Sequence, residues 1–121
     1  MDVMGIMHVT MKIKGKKAAT VRALVDTGAS FSVVPHALAE QIGLVTLEGL
    51  RVKMADGRIR KLRSATAIVT VAGRTVPATI LVTPNGGDVL LGAETLETLG
   101  FAVDPRHRKL RSIHSAQIMA A

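Results

Sequence analysis

The stretch Leu24-Val25-Asp26-Thr27-Gly28-Ala29-Ser30 brings one aspartate directly after aliphatic residues and ahead of a small polar residue and a glycine. A buried strand that ends at Asp26 would hold a carboxylate at the edge of the core, where its charge costs free energy unless its oxygens accept hydrogen bonds. The Thr27 hydroxyl and backbone N–H groups exposed by a tight turn at Gly28 can donate those bonds. Asp-Thr-Gly is also ordinary turn chemistry between strands, so the triplet alone is a weak signal.

A second motif strengthens that signal. Val89-Leu90-Leu91-Gly92 precedes a helix that the sequence predicts from Ala93 to Leu99. Together with the Asp26-Thr27-Gly28 loop, this motif resembles the active-site pattern of aspartic proteases. Because the chain contains one such loop and not two, it resembles the retropepsin-like branch, in which each subunit of a homodimer provides one loop. The resemblance covers about Val21 to Pro105 and implies an all-β, closed barrel-like fold with one or two short helices.

The resemblance also implies a role for each residue of the two motifs. Asp26 would be the catalytic residue, and Thr27 would brace the two loops of the dimer against each other. Gly28 and Ala29 would form hydrogen bonds to the substrate backbone. The supporting second motif consists of Leu90, Leu91 and Gly92.

A hairpin from Val52 to Leu62 is similar in position to the flap of the family, a lid that grips an extended peptide and excludes water. Its tip would be formed by Ala55, Asp56, Gly57 and Arg58. The pair Asp56-Gly57 predicts a two-residue hairpin turn. On turn chemistry alone, an ordinary hairpin explains these residues as well as a lid does.

Hydrolysis of a peptide by carboxylates requires two of them. One carboxylate accepts a proton from the attacking water while the other, protonated, donates to the carbonyl oxygen, and two carboxyls in contact share one proton. A second Asp-Thr-Gly or Asp-Ser-Gly loop is absent from the sequence, whose other acids are Asp2, Glu40, Glu48, Asp56, Asp88, Glu94, Glu97 and Asp104. A monomer would therefore hold half a site. We expect an aspartic endopeptidase that acts on extended peptides with Asp26 of each subunit of a homodimer.

Length and composition set wider limits. The 121 residues are predicted to form a single domain, 1–121, with residues 115–121 as a flexible tail. Hydrophobic residues make up 48% and aromatic residues 2%, so the core must be aliphatic. The absence of cysteine excludes disulfides and thiolate metal sites, and we expect neither a metal nor another cofactor. No signal peptide or membrane-spanning segment is recognised, so the expected location is cytoplasmic, with no membrane partner.

Period-two alternation predicts a first strand from Met7 to Ile13 and a second from Ala19 to Val25, paired as a hairpin. An internal repeat follows. The pattern that begins at Val33-Val34-Pro35 recurs from Leu90-Leu91-Gly92, at an offset of 57 residues. At that offset the Asp26-Thr27-Gly28 loop falls on Thr83-Pro84-Asn85, so the second half repeats the scaffold without its carboxylate.

Two alternative functions remain open. The first is a non-catalytic, dimeric peptide-binding module with the same fold. The second is a basic β-barrel that binds nucleic acid, since the formal net charge is +7. The spread of basic residues over several segments and the scarcity of aromatic residues, only Phe31 and Phe101, disfavour nucleic acid as a partner.

Overall fold

The computed structural model describes residues 6–113, so the predicted flexible tail at 115–121 lies outside the described residues. Within this part of the chain, nine strands and two short helices occur. In chain order they are β1 (His8–Lys14), β2 (Ala18–Val25), β3 (Ser32–Pro35), α1 (His36–Gln41), β4 (Leu47–Lys53), β5 (Ile59–Val71), β6 (Arg74–Thr83), β7 (Val89–Leu91), α2 (Ala93–Leu99), β8 (Phe101–Asp104) and β9 (Lys109–Ser112).

Six of the strands close into a barrel. They are hydrogen-bonded in the order β1-β2-β7-β3-β6-β5, and antiparallel pairing of β1 with β5 completes the circle. The strand β4 extends the sheet outward from β5, and β8 pairs with β9 in a separate two-stranded sheet. The predicted all-β, closed barrel-like fold with short helices is therefore confirmed.

Alternating side chains build the barrel as the sequence pattern predicts. In β1, Met11 and Ile13 are fully buried while Lys12 and Lys14 between and after them are exposed. The predicted hairpin of the first two strands is present, with pairs from His8 opposite Leu24 onward. The core is aliphatic apart from methionine and Phe101. Burying these side chains removes apolar surface from water, which supplies most of the stabilisation.

The 57-residue offset in the sequence reappears in the strand pairing. Parallel pairing joins β2 to β7 with Leu24 opposite Leu90, and joins β6 to β3 with Leu81 opposite Val33. Adding 57 to Leu24 and Val33 gives Leu81 and Leu90, so one pair maps onto the other. The two copies meet where Val33 lies antiparallel to Leu90. The barrel therefore has an internal two-fold relation between its halves.

The β8–β9 sheet is attached to the barrel through Arg74, a residue that sequence reasoning did not single out. Its guanidinium donates hydrogen bonds to the carbonyls of Leu99 (2.9 Å) and Gly100 (2.8 Å) and to the Ser112 hydroxyl (2.6 Å). The same group lies 4.2 Å from the centre of the Phe101 ring. One cation thus satisfies carbonyls at the carboxyl end of α2, where helix carbonyls lack partners within the helix.

No helix among residues 6–113 has the length and apolar character needed to cross a membrane.

Candidate active site

The carboxylate of Asp26 lies where a buried strand reaches the surface. Val25, the last residue of β2, is buried and pairs with Leu91 of β7. The next residue continues this ladder, because the Asp26 N–H donates to the Leu91 carbonyl at 3.0 Å. The Asp26 side chain itself is half-buried. The strand thus fixes the backbone of Asp26 in the core and leaves its carboxylate accessible.

The loop that follows supplies one of the predicted hydrogen-bond donors. The N–H of Gly28 donates to Asp26 Oδ1 at 3.0 Å, and the N–H of Ala29 donates to the Asp26 carbonyl at 3.1 Å. Within residues 6–113, no hydrogen bond joins the exposed Thr27 hydroxyl to Asp26, so that part of the expectation is wrong. A side chain at position 28 would begin 3.3 Å from Asp26 Oδ1. Gly28 therefore allows the backbone to approach the carboxylate closely.

The start of α2 holds the Asp26 loop in place. The N–H of Ala93 donates to the Ala29 carbonyl at 2.8 Å, and the N–H of Glu94 donates to the Ser30 carbonyl at 3.0 Å. The first N–H groups of a helix have no acceptor within the helix. Here the loop carbonyls accept those bonds, so the loop and the helix satisfy each other's polar groups. The structure therefore brings the second motif and the Asp-Thr-Gly loop together.

Gly92 is packed against the backbone that follows the loop. A Cβ atom at this position would overlap the carbonyl group of Phe31 and lie 2.9 Å from the Ser32 nitrogen. The backbone of Gly92 has φ −90° and ψ 175°, which any residue can adopt. Glycine is therefore required here by the close approach of two chain segments and not by its backbone angles.

Two buried hydroxyls complete the contact between the loop and α2. Ser32 and Thr95 are 0% and 1% exposed, and their hydroxyl oxygens lie 2.6 Å apart in a hydrogen bond. Ser32 Oγ also accepts a hydrogen bond from the Gly92 N–H at 3.0 Å. Sequence reasoning missed both residues. Both residues stand on the core side of a strand or a helix next to the two motifs, but this position in the sequence does not identify them as partners.

Comparison with known proteins agrees with this geometry. A family model described as "gag-polyprotein putative aspartyl protease" matches residues 9–98. The chain belongs to this family. Among solved structures, the EIAV protease complexed with the inhibitor HBY-793 matches with a TM-score of 0.67 and 20% sequence identity, covering 83% of this chain and 93% of that chain. The likeness confirms the retropepsin-like fold. A search among curated proteins finds no significant match.

In this member of the aspartyl protease family, the internal two-fold relation does not supply a second carboxylate. The counterparts of Asp26, Thr27 and Gly28 are Thr83, Pro84 and Asn85. The Thr83 hydroxyl has two carbonyl acceptors within hydrogen-bond distance, that of Asn85 at 3.2 Å and that of Val34 at 3.4 Å, and its one proton can be donated to either. In the Asp26 loop a side chain accepts a hydrogen bond from a backbone N–H of the loop. At Thr83 a side chain instead donates a hydrogen bond to a backbone carbonyl.

The tip of the β4–β5 hairpin is exposed, and its turn differs from the expected one. The Met54 N–H donates to the Arg58 carbonyl at 2.7 Å, and the Gly57 N–H donates to the Met54 carbonyl at 2.9 Å. The loop therefore contains three residues, Ala55, Asp56 and Gly57, with Gly57 at φ +86°. The predicted two-residue turn is wrong because Gly57 takes the left-handed position that closes a three-residue loop. Within residues 6–113, no hydrogen bond joins this tip to the Asp26 loop.

Asp104 lies outside the Asp26 loop, and a neighbouring histidine changes the pKa of its carboxyl group. The ring of His107 donates to Asp104 Oδ2 at 2.8 Å, since an ionised carboxylate can only accept. This hydrogen bond lowers the pKa of Asp104 below its ordinary value of 3.8. The described residues contain no group of three or more His, Asp or Glu side chains that could hold a metal ion.

Proposed function

We propose that the protein is an aspartic endopeptidase whose active site is completed by a second copy of the chain. The observation that supports this proposal is a loop that is fixed in place but supplies one of the two carboxylates that the reaction requires. Asp26 is held by the Gly28 N–H and by the ladder to Leu91, and its carboxylate is accessible. A homodimer with two-fold symmetry can bring Asp26 of each subunit to the axis, where the two carboxyls share one proton.

The proposed reaction uses a water molecule between the two carboxyls. The ionised carboxylate accepts a proton from this water as its oxygen attacks the peptide carbonyl, and the protonated one donates to the carbonyl oxygen. The Gly28 N–H donates to Asp26 Oδ1 and so orients the carboxyl. Thr27 is exposed next to Asp26 and would brace the partner's loop.

The backbone contacts narrow the proposed role of Gly28 and Ala29 in substrate binding. The N–H groups of both residues already donate to Asp26, and the Ala29 carbonyl accepts from Ala93. Among the hydrogen bonds of residues 6–113, the Gly28 carbonyl takes no part. We assign this carbonyl to accept an N–H from an extended peptide, and the hairpin tip Ala55–Arg58 to close over the peptide as a lid.

The test is a peptide-library digest from about pH 3 to pH 8, with the parent protein beside Asp26→Asn. Substituting an amide removes the proton acceptor and leaves the size of the side chain unchanged, so cleavage should fall by at least about a thousandfold. Glu97→Gln makes the same chemical change at an exposed position on α2 and should leave cleavage unchanged. Absence of cleavage by the parent at every pH, with a stable dimer, would instead support the peptide-binding module.

A mixing experiment tests the shared site directly. If subunits pair at random, adding a ninefold excess of Asp26→Asn to a fixed amount of parent protein lowers the activity to about one tenth, because most parent subunits then pair with the variant. The control is an inert carrier protein added at the same mass in place of the variant, which should leave the activity unchanged. Unchanged activity after full subunit exchange would contradict a site built from two chains.

A further inference from the structure

A basic groove lies at one end of the barrel, away from the Asp26 loop. Its volume is about 460 Å³, and it opens between the start of α1, the first half of β5 and the end of β6. The residues that line it are His36, Arg60, Lys61, Leu62, Arg63, Val82 and Pro84. Among residues 6–113, three permanent cations and no acid therefore border this groove.

Within the described part of the chain, no ion pair neutralises the cations of the groove. Among residues 6–113, the ion pairs join His36 to Glu40, Arg58 to Asp56 and His107 to Asp104, and none includes Arg60, Lys61 or Arg63. Furthermore, Lys61 pairs directly across the ladder with Arg51 of β4. Like charges in opposite positions destabilise a sheet. The positive charge therefore lowers the stability of the folded chain. Such a cost is expected where a surface binds an anionic partner.

The groove lies within reach of a peptide bound at Asp26. Four strand-to-strand steps separate β2 from β5 in the order β2-β7-β3-β6-β5. At ~4.8 Å per step and ~3.3 Å per residue along the strands, the path from Asp26 to Arg63 along the curved sheet is roughly 20 Å long. An extended peptide spans this distance with about six residues. A substrate whose scissile bond is at Asp26 can therefore place a flanking segment in the groove.

The other members of the groove favour a peptide over a nucleic acid. Its apolar lining comes from Pro84 and from the small exposed parts of Leu62 and Val82, which are each 5% exposed, and no aromatic side chain of residues 6–113 lines it. Single-stranded nucleic acids are bound largely by stacking of bases on aromatic rings, which this surface does not offer. A peptide segment that carries carboxylates next to aliphatic side chains matches both the positive charge and the apolar lining of the groove.

We propose that the groove lined by Arg60, Lys61 and Arg63 is a specificity site that binds Asp or Glu side chains of the substrate, about six residues from the cleaved bond. This inference rests on the proposed protease function for its position in the reaction. The preferred substrates are then peptides with an acidic flank.

The binding experiment uses the full chain with Asp26→Asn and two labelled peptides that differ only in a flank of four Glu or four Gln. Fluorescence anisotropy should show the Glu peptide binding about tenfold more tightly, and the difference should shrink in high salt. Arg60→Gln/Lys61→Gln/Arg63→Gln should abolish the preference. Lys12→Gln/Lys17→Gln/Arg111→Gln removes three exposed charges elsewhere and should retain it.

Cleavage of the same two peptides by the parent protein separates this proposal from the proposed function. With both correct, the Glu peptide has about tenfold higher kcat/KM, and the groove triple variant loses this advantage through KM and not kcat. A preference in binding without any cleavage leaves the groove assigned and refutes the protease. Cleavage of both peptides at equal kcat/KM refutes the groove and leaves the protease. Tighter binding of a 12-nucleotide RNA than of the Glu peptide, lost in the same triple variant, also overturns the assignment.

Discussion

Replacement of Gly92 by alanine tests whether the close contact between the two motifs holds the Asp26 loop. The new methyl group would overlap the carbonyl of Phe31 and lie 2.9 Å from the Ser32 nitrogen. Both neighbours are backbone atoms, which cannot move aside as the end of a flexible side chain can. Because φ is −90° at this position, alanine introduces no backbone strain of its own. The steric overlap is therefore the whole of the initial perturbation.

The expected loss of stability follows from the contacts that the overlap disturbs. Overpacking of a dense region costs about 1–3 kcal/mol. If α2 moves away to relieve the overlap, the hydrogen bond from the Gly92 N–H to Ser32 Oγ lengthens from 3.0 Å, and a buried donor left without a partner costs about 1–3 kcal/mol more. We therefore expect Gly92→Ala to lower the free energy of unfolding by about 4 kcal/mol, a large part of the stability of an ordinary domain.

The assay is urea unfolding followed by far-ultraviolet circular dichroism, since the sequence contains no Trp or Tyr for fluorescence. All variants are measured at one protein concentration, because association would shift the transition. Gly86→Ala is the matched control: nothing lies within 4 Å of its added Cβ, and we expect a change of less than about 1 kcal/mol. Equal unfolding midpoints for the two variants would refute the packing argument.

Two further perturbations act on hydrogen bonds. Ser32→Ala removes the acceptor of Gly92 and the partner of Thr95, and should cost about 1–3 kcal/mol in urea unfolding, with Ser32→Ala/Thr95→Val costing less than the sum of the two single changes. The hydrogen bond from His107 lowers the pKa of Asp104, so its contribution to stability is present above 3.8 and lost as the pH falls below that value. Thermal unfolding of Asp104→Asn should therefore vary less between about pH 5 and pH 2.5 than that of the parent, and parallel curves would contradict this assignment.

Individual strands and helices could be predicted from the sequence because their signals are local, whereas the closed barrel was predicted from the resemblance to a family. Period-two alternation in β1 and β2 reflects which side chains face the core, and Gly100, at φ +79°, ends α2 at the residue that follows the predicted helix. The two motifs could also be paired, since their similarity to a family carries information on contacts that spacing alone does not. These signals were enough for the barrel and for the position of Asp26.

What could not be predicted depends on contacts between distant segments. Ser32 and Thr95 are 63 positions apart, and a serine or threonine gives no sign in sequence of whether its hydroxyl meets a partner or water. Arg74 resembled any charged residue of a turn, although it holds two helix carbonyls and the β8–β9 sheet. The predicted turn at the hairpin tip was wrong for a different reason. Asp-Gly is compatible with loops of two and of three residues, and the pairing of Lys53 with Ile59 decides between them.

The internal two-fold relation explains why the proposed reaction requires a second chain even though the scaffold occurs twice. Since β3 and β7 run antiparallel at Val33 and Leu90, the two loops leave opposite ends of the sheet. Asp26 continues β2 beyond Leu91, whereas Thr83 ends β6 beside Pro35. With three strand steps of ~4.8 Å and about four residues of ~3.3 Å between them, the two positions are roughly 20 Å apart along the sheet and lie on opposite sides of the six-stranded barrel. Two carboxyls share a proton only in direct contact, so even Thr83→Asp would leave Asp26 without a partner in its own chain. The pair that the proposed chemistry requires must come from an external two-fold axis next to Asp26.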